Sequence, residues 1–375
     1  MVTLRYDDKV LSRLPENSGQ WVRGLCERSH PYYAAFADTL ERWFAELGGN
    51  KRMVKDLTSP DDVVFFAGRW ELTAARLFHN AGYRIEFEPQ VQSTVPGSMP
   101  KTPDFRATGD GIRPLVEVFN LNPSAAEAEE DRRHGQLGAD FESRLVLGGR
   151  GMLSLRLDRG ASLDPYPMAA SIDKAAFAIQ RWWDAGHDTR LHVDDDKLPI
   201  YGYWMDTPDL LVVVVSSPAR VLSADRIRSR LEGKLGSYRN LAGEQIILFV
   251  GSDYWTHSTS TMIDALFGST EIPMVGTTED GLPRAGQPTF NGEGLLTEDP
   301  VFGHPGSKLV AGCMFASHQM FNPETGSWNL YVHYVHNPFA DVRLDDGTFD
   351  RIPEFQPRPD GMAWTTDESV VLTMP

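Results

Sequence analysis

Apolar residues recur at helical spacing in the first part of this chain and at strand spacing further on. Residues 20 to 48 read as helical, with Pro31 opening a new helix rather than continuing the first. Tyr33, Phe36, Leu40, Phe44 and Leu47 then return at three- and four-residue steps, an amphipathic stripe. A further helix is predicted over 59 to 82: Ser59 is its expected cap, Pro60 suits the first turn and Gly82 is the stop. Trp70, Ala74, Leu77 and Phe78 form its buried face. Three strands follow, YRIEFEPQV, PDFRAT and PLVEVFN, the last two joined as a hairpin by GDG at 109 to 111.

The stretch SAAEAEEDRRHGQLGADFESRLVL predicts a long polar helix despite Gly135 and Gly138. GMLSLRLD is a strand with alternating leucines, and MAASIDKAAFAIQRWWDAG a helix ending at Gly186. LLVVVVSSP is a continuous β-branched run, the pattern of a strand buried on both faces. It leads into a helix capped by Ser223 and then into QIILFV, a spacing that fits a parallel crossover. From about residue 271 Gly and Pro become frequent, which predicts a long loop or covering segment. SKLVAGCMFAS and WNLYVHYVHNP read as a late strand pair, and the last 25 residues as an arm or tail. The expected division is an N-terminal helical extension (1–58), an α/β core (59–270), and C-terminal strands, loops and tail packed on that core (271–375).

Composition narrows the class. The 375 residues carry 41% hydrophobic and 10% aromatic content, that of a packed globular protein. No apolar run approaches the roughly 18 to 20 residues that span a bilayer, and MVTLRYDDKV lacks the basic-then-apolar pattern of a secretory leader. Cys26 and Cys313 match no metal spacing. A cytoplasmic protein with reduced thiols and no membrane partner is expected. The net charge of −16 counts against general, tight DNA binding, because phosphate neutralisation supplies most non-specific affinity. A local basic groove is still compatible with it, since Arg220, Arg226, Arg228, Arg230, Lys234 and Arg239 lie within 20 residues.

The candidate chemistry sits in TPDFRATGDGIRPLVEVFN, residues 102 to 120. A hairpin there would bring Asp104 and Glu117 to one sheet edge, where carboxylate oxygens suit a hard cation such as Mg²⁺. The Val118 carbonyl is a further candidate ligand, and Glu71 could approach from the preceding helix through a water. An unpaired acid in an apolar strand is costly, so Glu117 needs a metal or a donor such as Arg69 or Arg113. Asn120 alternates onto the face opposite Glu117. HVDDDK at 192 to 197 reads as a solvated loop, and the strand spacing of His333 and His336 points them to opposite sides, so they cannot share a zinc. No Walker loop, GxGxxG or GxSxG is present.

A helix with Glu71, a strand, then TPDF, a turn and VEVFN resembles the PD-(D/E)xK restriction-endonuclease-like superfamily over roughly residues 60 to 250. The resemblance implies an α/β fold with a central mixed sheet flanked by helices, metal at Asp104 and Glu117, and Glu71 as auxiliary acid. The closing triplet departs from the family pattern: Glu117-Val118-Phe119 puts phenylalanine where the family has lysine. Lys234 is the candidate replacement, sharing a helix face with Tyr238; Lys101 is nearer in sequence but is expected to face solvent. The expectation is a Mg²⁺- or Mn²⁺-dependent nuclease acting on DNA, with a homodimer as the candidate assembly. The alternative is a nuclease-like protein that binds nucleic acid or a protein partner without cutting. A third reading, an acidic structural or interaction protein, follows if Asp104 and Glu117 diverge in space.

Overall fold

The computed structural model describes residues 2–15, 20–28, 30–95, 98–109, 111–121, 125–148, 151–158, 163–187, 190–194, 198–206, 211–216, 224–238, 241, 243–252, 259–268, 270–271, 274–277, 283–285, 289–290, 294–296, 307–345, 347–349, 352–358, 361–365 and 371–374. The chain divides into two compact units, residues 1–122 with 221–375, and residues 123–220. The sequence reading, with boundaries at 58 and 270, does not draw this insertion.

The chain begins with α1 (Asp8–Leu11), α2 (Gln20–Glu27), α3 (Pro31–Leu47), α4 (Lys51–Leu57) and α5 (Asp62–Asn80), then β1 (Arg84–Phe87), β2 (Phe105–Thr108) and β3 (Leu115–Asn120). The inserted unit supplies α6 (Ala125–Glu142), β4 (Gly151–Leu157), α7 (Ala169–Asp184), β5 (Leu191–Val193), β6 (Ile200–Asp206) and β7 (Leu211–Ser216). The larger unit resumes with α8 (Ala224–Tyr238), β8 (Ile246–Ser252) and α9 (Thr259–Phe267). The short strands β9 (Thr270–Glu271), β10 (Met274–Thr277), β11 (Pro283–Ala285) and β12 (Thr289–Phe290) come next. The last strands are β13 (Val310–Asn322), β14 (Ser327–His336), β15 (Glu354–Arg358), β16 (Gly361–Trp364) and β17 (Val371–Met374).

Local signals account for the helix starts. Pro31 occupies the first turn of α3, whose cap His30 accepts the Tyr32 N–H, and Gly48 ends it in the left-handed conformation. The cap of α5 is Asp61 rather than the expected Ser59. The Asp61 carboxylate accepts the Val63 N–H, while the Ser59 hydroxyl accepts the Asp61 N–H and shapes the preceding turn. An anionic cap also meets the positive end of the helix dipole, which favours the later start. Ser223, the expected cap of α8, lies outside the described residues.

Among the described residues the larger unit holds a nine-stranded mixed sheet, ordered β1-β2-β3-β8-β13-β14-β15-β16, with β17 also on β14. β2 runs antiparallel to both β1 and β3, and β8 lies parallel to β3 on one side and to β13 on the other. One face packs Trp43, Phe65, Trp70 and Phe78 against Val116, Phe249 and Leu330. The other packs Ile227, Leu231, Met262 and Leu266 against Leu115, Leu248 and Cys313. The protein is thus α/β, with a large mixed sheet flanked by helices. A Cβ at Gly251 of β8 would overlap the Trp70 ring, so this glycine lets α5 lie close to the sheet beside Glu71.

Two sequence expectations are corrected here. β7 and β8 do not form a crossover in one sheet: β7 pairs with β4 in the inserted unit's sheet, and β3 is the parallel partner of β8 before the insertion. A β-branched run reports burial, and burial does not identify the partner strand. The last 25 residues are not a tail, because β15, β16 and β17 join the large sheet and Met374 is buried. The length of β14 explains this: it takes β15 at Tyr334 and Val335 and β17 at Trp328 to Tyr331. At the end of β14, Asn337 donates to the Val310 carbonyl and accepts the Phe339 N–H, shaping the turn that follows. His336 Nε2 meets Glu354 Oε2 at 3.0 Å, and the same carboxylate accepts the Gly347 and Phe349 N–H groups.

Candidate functional site

β2 and β3 pair at Phe105–Val116 and Arg106–Leu115, and one residue further this register sets Asp104 beside Glu117. Asp104 Oδ2 accepts the Val118 N–H at 2.8 Å, which holds its carboxylate against β3. What the structure adds at Val118 is therefore a donor that fixes Asp104. Leu115 and Phe119 belong to the core beneath α8, whereas Val116 packs with α5. Strand alternation then puts Glu117, 2% exposed, on the α8 side and Asn120 on the α5 side, as the sequence predicts. Phe119 is packed into the apolar core, so the position that carries lysine in the family pattern offers no charge here. Both polar atoms of the Asn120 amide are buried with no hydrogen-bond partner among the described residues.

Glu71 reaches the same end of the sheet from α5. It is 4% exposed, and both of its carboxylate oxygens accept Nη2 of Arg52, at 2.6 and 2.7 Å. The Arg52 guanidinium also lies 2.8 Å from Glu88, 3.5 Å from Asp104 and 3.7 Å from Asp56. Glu88 is held further by the Asn50 amide at 2.7 Å, and its N–H donates to the Asp104 carbonyl at 2.9 Å. The Glu88 backbone is left-handed, φ 50°, a conformation that costs a non-glycine residue on the order of 1 kcal/mol and clusters at functional sites.

Four carboxylates around one guanidinium leave excess negative charge, and the proton affinities reflect it. Burial, then the charge of Asp104, pushes the Glu71 carboxyl well above the usual range against the pull of Arg52. Burial likewise raises Asp56 in spite of Arg52. Burial opposes the charge on Arg52, but Glu71, Asp104 and Glu88 outweigh it and raise its pKa. The natural complements of such a cluster are a proton on Glu71 or an added cation.

The structure thus brings Glu71 and Asp104 to one guanidinium and holds Asp104 to the N–H of Val118, the residue after Glu117 on the next strand. Among the described residues, no three His, Cys, Asp or Glu side chains form a group that could hold a metal ion. Lys234 lies on α8, and its side chain is outside the described residues. Arg230, one turn earlier on the same helix face, reaches the Asn120 carbonyl at 3.5 Å, so this face of α8 passes the end of β3. Asp195 to Lys197 of HVDDDK are also outside the described residues.

Arg52 is the residue that sequence reasoning missed. It lies on α4, 19 residues before Glu71, in a segment assigned to the helical extension. Nothing in KRMVKDL separates it from an arginine on a wet helix face. Arg52→Ala is expected to lower stability by about 2 kcal/mol near neutrality. Breaking a buried pair costs about 3–5 kcal/mol, and the 37% exposure of the Arg52 side chain lets water offset part of it. Because the folded-state pKa of Glu71 is raised above the ordinary glutamate value of 4.5, ionising it opposes folding as pH rises. The deficit should therefore be larger at about pH 8 than at about pH 5, as read by urea unfolding. Equal deficits at both would contradict this account of the cluster.

No known family model matches the chain, and neither a curated protein nor a solved structure shows significant similarity to it. Among the described residues, no helix is long and apolar enough to cross a membrane.

Proposed function

We propose that this protein is a metal-dependent nuclease of the restriction-endonuclease-like kind, hydrolysing DNA phosphodiester bonds with Mg²⁺ or Mn²⁺. The observation that carries the reading is the register setting Asp104 beside Glu117, with Glu71 brought by α5 to the guanidinium that Asp104 also contacts. The order helix, three antiparallel strands, then a helix and a strand parallel to β3 supports it, with the 123–220 unit as an insertion.

Carboxylate oxygens are the ligands a hard divalent cation takes, and the acids around Arg52 carry excess negative charge. Bound there, the cation would lower the pKa of a water and stabilise charge on the phosphate. Asp104 and Glu117 would hold it, with the Val118 carbonyl as a further ligand and Glu71 assisting. Arg52 would then have to release Asp104, its longer contact at 3.5 Å, while keeping Glu71. Lys234 takes the place of the missing lysine in this reading, and Arg230 offers a second cation on the same face of α8.

Supercoiled plasmid and single-stranded DNA, each incubated with Mg²⁺, Mn²⁺ or EDTA, test the proposal. Metal-dependent cleavage that EDTA abolishes is expected. The second reading is a nuclease-like protein that binds nucleic acid or a partner protein without cutting. Two observations favour it: Phe119 buried at the lysine position, and Arg52 contacting the acids that a metal would need. Absence of cleavage under all these conditions would select it.

A further inference from the structure

The four-stranded sheet of the inserted unit is ordered β5-β6-β4-β7; one face lies in a core, and on the other His192, Tyr201, Tyr203 and Arg156 are exposed while Ser154 is buried. Leu153, Leu155, Leu191 and Val213 pack with Leu137 of α6 and Ile179 of α7. Residues of the opposite parity stand on the other face. Strand pairing aligns them in rows. His192, Tyr201 and Arg156 form one row across β5, β6 and β4. One pleat along, Tyr203 lies opposite Ser154, and Arg190, just before β5, extends that second row.

This face is built from flat rings and cations. Tyr201 is 42% and Tyr203 39% exposed, and His192 stacks on Tyr201 with centroids 4.5 Å apart and planes at 8°. A shallow depression of about 530 Å³ is lined by Ser154, Arg156, Arg190, Tyr201 and Tyr203. Both arginines are exposed, and neither makes an ion pair among the described residues. In a chain of net charge −16, this face sets two guanidiniums with no ion-pair partner among the described residues beside two exposed phenol rings. Asp158 and Asp194, exposed and of the same parity, bound the patch at one end.

We propose that this face binds single-stranded nucleic acid. Tyr201, with His192 stacked on one face of its ring, and Tyr203 stand two residues apart on one strand, about 7 Å by strand rise, and offer their remaining ring surface to successive bases. Stacking of this kind tolerates any sequence, since every base has a π face. Arg156 and Arg190 flank the rings where phosphates would lie, which gives the charge complementarity that an uncharged ligand would not use. A duplex cannot use the tyrosines in this way, because its bases are already stacked on one another. The site goes beyond the cleavage reading and uses no residue of the acidic cluster.

The test is fluorescence anisotropy of the full chain with a labelled oligothymidylate and a duplex of equal length. EDTA is present throughout, so binding is read where metal-dependent cleavage cannot occur and either reading can fail without the other. The single strand is expected to bind more tightly than the duplex. Tyr201→Ala with Tyr203→Ala should weaken that binding about ten-fold or more, while Tyr201→Phe with Tyr203→Phe retains it. Arg156→Ala with Arg190→Ala should flatten the salt dependence. Three outcomes would overturn the proposal. One is no binding by the folded wild type, and a second is equal binding by the double alanine variant. The third is displacement by oligoglutamate as readily as by unlabelled oligothymidylate, which would assign the face to an acidic peptide instead.

Discussion

Asp104→Ala is expected to reduce metal-dependent DNA cleavage by about a thousand-fold or more, a loss of roughly 4 kcal/mol of transition-state stabilisation. The size follows from how many contacts meet at this carboxylate. It accepts the Val118 N–H, it contacts Arg52, and its charge raises the pKa of Glu71. It is also the acid that the register sets beside Glu117, so its removal takes away half of the proposed metal-holding pair. Asp104→Asn separates charge from position. The amide oxygen can still accept the Val118 N–H, so the strand end should stay ordered while cleavage is still lost. Initial rates on supercoiled plasmid, with circular dichroism as the check on folding, decide the matter. Wild-type rates in either variant would remove Asp104 from the mechanism.

The largest stability effect is expected at the other end of the large sheet. Glu354→Ala should destabilise the protein by about 3–5 kcal/mol, the usual cost of taking one partner from a buried pair. The side chains of His336 and Glu354 are 5% and 2% exposed, so water cannot replace the lost contact. The carboxylate also accepts the Gly347 and Phe349 N–H groups, tying the loop after β14 to the start of β15. Burial raises the pKa of Glu354, but the His336 hydrogen bond and those backbone donors outweigh it and hold the carboxyl below its ordinary value. A depressed folded-state pKa contributes stability above the ordinary glutamate value of 4.5 and loses it as pH falls through the folded value. Urea midpoints of the wild type should therefore fall in acid, towards those of the variant. A variant as stable as wild type near neutrality would show that the pair is not a structural lock.

Much of the fold is legible in the sequence because hydrophobic period and turn chemistry report local structure directly. Pro31 opens α3, the stripe from Phe36 to Leu47 is buried, and the three strands around the hairpin fall as expected. Partner choice is harder to see. LVVVVS reads as a buried strand whichever sheet it joins, so the insertion of a second unit between β3 and α8 leaves no local mark. The C-terminal strands are short and interrupted by proline and acids, and only their pairing with β14 orders them. Within the site, alternation along β3 correctly separates Glu117 from Asn120. Arg52 escapes for a different reason: what matters about it is four carboxylates brought from α4, α5, the residue before β2 and the residue after β1, which only the folded chain assembles.

The most direct test of the central claim is calorimetric titration of Mn²⁺ into the wild-type protein and Asp104→Ala, without nucleic acid. One saturable site in the wild type, absent from the variant, is the expected result. No saturable binding, or the same binding in both proteins, would contradict a metal centre at Asp104 and Glu117.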